Sequence, residues 1–385
     1  MTKIVDIEDI RKKREKKEIG IPIENINKKE LKRRGHENLY VDGNMEKEQL
    51  FDFMRSQIYQ NIQRGDSMVI VDLGSRIYKR ELWIYLTIHG YRVDSYNMDC
   101  MTESDCFNCL DGLGAENEEQ IVMIANDIID DQKYKFMTYP VETVCKALLS
   151  AVLLASLTEM EESDRNMLEI ATIFRLGVSG TMLDKILHVM FEELDETSSA
   201  KQLFAMYSEA EEGIRMEAIQ KIGNALAVYE KRANGSLCDN FRTNRYDMEM
   251  PVKEKSVLFI ESGQLPEDKV LFSVFMERLY DSMLKKAEER QQDVTVMLLD
   301  YPYYGGLCGL EKYMEEGPEK GICTTLYEDD RKLDGSGYAP HLVELYSLCD
   351  ISVCIKDTEI PLCEIEKCEN PVTGECSKRK DGLCY

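Results

Sequence analysis

The sequence predicts a parallel α/β sheet interrupted by an all-helical segment. Helical and strand patterns alternate over short links from Glu48 to Met98. Strand patterns then vanish between Val141 and Arg232. They return at Ser256 and alternate with helices as far as Lys356. Strands that follow one another through helices pair in parallel, because a parallel neighbour needs a long crossover.

Residues 1–37 are highly charged, carry no apolar stripe and read as a flexible arm. In EQLFDFMRSQIYQNI (Glu48 to Ile62), Leu50, Phe51, Met54, Ile58 and Ile62 recur at helical spacing, and Arg64-Gly65-Asp66 ends the helix. SMVIVDLG (Ser67 to Gly74) is a short buried strand. A second helix, Tyr78 to His89, stops before Gly90 and leads into the strand YRVDSYNM (Tyr91 to Met98). KALLSAVLLASL, DKILHVMFEEL and KQLFAMYSEAEEGIRMEAIQKIGNALAVYEK are helical in period and composition. SVLFIES (Ser256 to Ser262) is a strand, Lys269 to Arg290 a helix, and the β-branched run from Val294 ends in Asp300. A further step covers Leu310 to Met314 and GICTTLY (Gly321 to Tyr327). Helix HLVELYSL (His341 to Leu348) and strand DISVCIK (Asp350 to Lys356) close the core. The expected organisation is a basic arm (1–37), a first core half (38–140), a helical insert (141–249), a second core half (250–357) and a Cys-rich tail (358–385).

At 385 residues and 43% hydrophobic, the chain is long and apolar enough for a full core. The longest candidate for a membrane span, Ala147 to Leu157, falls short of the roughly 18 residues required and reads as a buried helix. The first residues lack the apolar region of a secretory signal. Thirteen Cys, an odd number scattered through apolar segments, suit small buried hydrophobes in a reducing compartment. The expectation is a cytoplasmic protein with no membrane span.

The formal net charge is −24, which opposes a broad nucleic-acid surface. The exception is residues 1–35, with twelve Lys/Arg against seven Asp/Glu. This stretch is either a solvated arm or a contact for nucleic acid, anionic lipid or an acidic partner.

The order of these elements resembles the TraG-type coupling ATPases of conjugative type IV secretion. VIVDLGSRIY (Val69 to Tyr78) is similar to that family's VVTDPKGELY stretch, with Asp72 and Tyr78 matching. HGYRVDSYNM and CFNCL (Cys106 to Leu110) look like its GYxVxxxN strand and YNPL segment. VETVCKALLSAVLLASL resembles the helix that opens its helical domain. LYSLCDISVCI resembles its closing stretch, with Cys349 and Asp350 matching. The resemblance covers about Leu39 to Lys356. It implies a RecA-like, P-loop-NTPase-type core, discontinuous, with an all-α inserted domain, and partners in a conjugation or secretion apparatus. The family's N-terminal membrane helices have no counterpart in the sequence.

The departures from the family bear on activity. A P-loop needs glycines so that backbone N–H groups converge on phosphates, a Lys for the β/γ-phosphates and a Ser/Thr for Mg²⁺. The matching stretch is VDGNMEKE (Val41 to Glu48). Lys47 stands at the Lys position, among Asp42, Glu46 and Glu48, and no GxxxxGK[ST] occurs in the chain. Like charges at ~4 Å repel by about 1 kcal/mol in water and about 4 kcal/mol at an effective dielectric of 20. The family's Walker B pattern LLDEFAN is matched by LLDYPYY: Asp300 is kept, and Tyr301 and Pro302 follow where a catalytic acid is expected. Glu328, Asp329 and Asp330 fall where a polar sensor segment is expected. These departures predict a degenerate nucleotide site at Lys47 and Asp300, with no catalytic residues and ATP/Mg²⁺ disfavoured. The alternatives are an active ATPase that completes its site in an oligomer, a zinc-stabilised interaction module, and a remnant without a present role.

Cys363, Cys368, Cys376 and Cys384 could hold a structural zinc ion, although the tight CxxC spacing is missing; a reduced tail is the other reading. His188 lies in an apolar helical stretch, and His36, His89 and His341 are dispersed without metal or triad spacing.

Overall fold

The computed structural model describes residues 37–43, 57–72, 77–98, 104, 106–133, 139–178, 182–233, 241–242, 246–261, 268–299, 307, 309–329, 345, 347–349 and 351–355. Seven strands form one sheet: β1 (Leu39–Gly43), β2 (Ser67–Asp72), β3 (Arg92–Asn97), β4 (Ser256–Glu261), β5 (Val294–Leu298), β6 (Ile322–Asp329) and β7 (Ile351–Ile355). Their order is β3-β4-β2-β5-β6-β1-β7, and every pairing is parallel. β2, β4 and β5 are buried along their whole length. Their near-continuous apolar runs are what a strand covered on both faces requires.

Alternate residues of each strand feed two cores. Val69, Val71, Leu258, Ile260, Val296 and Leu298 join the larger one. Met68, Ile70, Val257, Phe259 and Met297 join the smaller. The smaller core is closed by α1 (57–64), through Ile58 and Ile62, and by α2 (Ile77–Ile88), through Leu82 and Leu86. Gly90, at φ +79°, turns the chain from α2 into β3 in a left-handed conformation suited to glycine.

The larger face carries α10 (Asp268–Lys286) and α3 (Glu118–Lys133). Beyond them lie α4 (Tyr139–Glu159), α5 (Met167–Val178), α6 (Met182–Glu192), α7 (Ser199–Ser208) and α8 (Glu212–Ala233). α4 packs against α3, α7 and α8, and α8 against α5. One continuous apolar core runs from the sheet through α10 and α3 into these helices. A single turn, α9 (Met250–Lys253), leads into β4, and α11 (Leu310–Glu316) lies between β5 and β6.

α4 is longer than the sequence pattern indicates. Its 21 residues are apolar enough to cross a membrane by composition, and 78% of that window is buried inside the protein. Ala147 to Leu157 are all buried, so this stretch is a core helix.

Two elements escaped the sequence reading. The sequence pattern marks no strand at Leu39–Gly43, yet this segment, β1, sits inside the sheet between β6 and β7. Asn38 anchors its start: Nδ2 donates to the Met314 and Leu348 carbonyls at 2.6 and 3.2 Å, and Oδ1 accepts the Thr324 N–H at 2.9 Å. α3 was likewise unassigned, because its many carboxylates obscure the stripe Ile121, Ile124, Ala125, Ile128 and Ile129, all fully or almost fully buried.

Candidate functional site at the carboxyl edge of the sheet

From β1 the chain crosses β6 and β5 to reach β2; from β6 it returns the other way to β7. The connections leaving the neighbours β1 and β6 therefore diverge. In open α/β sheets the crevice outside the carboxyl ends at such a switch point is where ligands bind. Lys47 belongs to the segment that follows β1, and Asp300 comes just after the end of β5. One strand, β6, separates β1 from β5, which sets their carboxyl ends about 10 Å apart. The topology thus brings to one edge the two segments that the sequence singled out. Lys47 and Asp300 themselves lie outside the described residues, as do Glu46, Glu48 and the tail cysteines Cys363, Cys368, Cys376 and Cys384.

Two expectations about this edge change. Val41, Asp42 and Gly43 belong to β1, not to a loop, and Val41 is fully buried in the smaller core. Any phosphate-facing turn would therefore begin no earlier than Asn44. Glu328 and Asp329 likewise belong to β6. The register pairs Asp42 with Glu328 and Gly43 with Asp329. Acidic positions from two distant parts of the chain become Cα neighbours at the switch point.

Farther along the same edge, a polar cluster closes β3, β4 and β2. Glu261 ends β4, and its Cα partners are Asp72 of β2 and Asn97 of β3. Its carboxylate accepts from Lys79 Nζ of α2 at 2.9 Å and from Ser95 Oγ at 3.0 Å. Lys79 Nζ also donates to Ser95 Oγ at 2.8 Å. The Asn97 N–H donates to Ser104 Oγ at 3.0 Å. Glu261 and Asp72 are almost fully buried. Lys79 offsets the Glu261 charge that burial would otherwise penalise, so this pair fixes the edge. The sequence reading matched Asp72 to a family position and missed Lys79 and Glu261. The available signal was the acid ending the apolar strand SVLFIE.

A second buried polar seam joins α10 to α3. Asp281 accepts from Gln120 Nε2 at 2.9 Å and from the Tyr313 hydroxyl at 3.3 Å. Glu277 and Asp127 share a hydrogen bond, and both are buried. Desolvation first, then this bond and the nearby charges of Asp127 and Asp281, push the Glu277 carboxyl well above the ordinary carboxylic range. Glu277 therefore carries a proton at neutral pH. Burial also pushes the Cys109 and Cys145 thiols up to about 12, so neither is a thiolate nucleophile. Among the described residues, no group of three or more His, Cys, Asp or Glu is arranged to hold a metal ion.

No family model matches the sequence, and no curated protein matches it. Solved structures do match the fold. The unbound bacterial conjugative coupling protein TrwBdeltaN70 aligns with a TM-score of 0.59 and 15% identity, over 83% of this chain and 68% of that one. The fold is that of the conjugative coupling proteins. TrwB bound to the non-hydrolysable ATP analogue ADPNP gives a TM-score of 0.59 at 16% identity, over 83% of this chain and 71% of that one. TrwB bound to ADP and Mg²⁺ gives 0.56 at 14%, over 83% and 70%. The RecA-like α/β core expected from the resemblance is therefore present, and at these identities the likeness concerns the fold.

Proposed function

We infer that this chain is a conjugation-related relative of the coupling proteins whose nucleotide site is degenerate, and that it acts by binding as an accessory subunit of a type IV secretion or conjugation apparatus. The observation that carries this reading is the chemistry of the switch-point edge. No GxxxxGK[ST] occurs in the chain, and Lys47 follows a strand whose Asp42 and Gly43 pair with Glu328 and Asp329. An edge of acidic positions does not fit a polyphosphate, which needs convergent N–H groups and cations. Asp300, followed by Tyr301 and Pro302, lacks the neighbouring acid that would polarise a water. TrwB binds nucleotide with Mg²⁺ in its own structures. This chain keeps the scaffold and, on this reading, has lost that use of it.

The same reading assigns residues 141–249 to a helical insert, places the protein in the cytoplasm and gives the basic residues 1–35 any contact with nucleic acid. It expects protein partners from the transfer apparatus. Calorimetric titration of the purified chain with Mg-ATP is expected to give no saturable heat at millimolar nucleotide. Saturable binding lost in Lys47→Ala would overturn the reading and favour an ATPase completed in an oligomer.

A further inference from the structure

We draw no further inference here: the strongest candidate, the outward apolar face of α2 carrying Trp83, Ile84 and Ile88, is exposed, and nothing in the structure shows what covers it.

Discussion

Glu277 and Asp127 show how much a single buried proton decides. Above the ordinary carboxyl pKa of 4.5 the unfolded chain releases a proton that folded Glu277 keeps. The native state then binds more protons than the unfolded state, so stability falls as pH rises. The stability tied to this group is fully present below pH 4.5 and is lost progressively as pH climbs toward the raised native value. Glu277→Gln keeps a hydrogen-bond donor for Asp127 and removes the ionisable group. It should stabilise the protein by about 1–3 kcal/mol at neutral pH and flatten the slope above pH 5. Urea midpoints measured at pH 5 and pH 8 for both proteins check this; an unchanged slope would show that the pair does not share a proton. No local pattern in the sequence marks Glu277, because its partner Asp127 belongs to a helix far away in the chain.

β1 illustrates how an element can be short, weak in pattern and central. LYVDG has three apolar residues and ends in Asp-Gly, which locally reads as a turn. Its place is held by β6, by β7 and by Asn38, whose three bonds reach Met314, Leu348 and Thr324. Asn38→Ala would leave the buried Thr324 N–H without that acceptor and the two carbonyls without that donor. A loss of about 2–4 kcal/mol is expected. Hydrogen exchange should show the increased opening in β1 and β6 before it appears in α4. The other six strands are legible in the sequence, and β2, β4 and β5, buried along their whole length, are apolar or small apart from Asp72 and Glu261 at the ends of β2 and β4. α3 was missed for the opposite reason: its exposed side is so acidic that the apolar stripe is diluted, although the i, i+3, i+4, i+7 spacing is present.

Over the whole molecule, charge restricts where a polyanion could bind. With a net charge of −24 the chain as a whole repels polyanions, and residues 1–35 are a net basic stretch within its sequence. Single-stranded DNA should therefore bind weakly, lose affinity steeply with salt, and lose it almost entirely when residues 1–35 are deleted. Fluorescence anisotropy at two salt concentrations checks this; undiminished affinity in the deletion would place the contact elsewhere. The coupling-protein fold is preserved across 83% of the chain at 15% identity, which a parallel sheet tolerates because it asks for apolar strands and crossover helices more than for particular side chains.

Hydrophobic periodicity acts between near neighbours in the chain, and this is why sequence alone determined the α/β alternation and the long helical stretch, just as it shows directly that no GxxxxGK[ST] occurs. Strand order is set by contacts between residues up to hundreds of positions apart. Only the tertiary structure could seat β1 between β6 and β7, make Asp42 a neighbour of Glu328, close Lys79 onto Glu261 and leave the outer face of α2 uncovered. Those features depend on which surfaces meet when the sheet assembles, and that free energy belongs to the whole packed core.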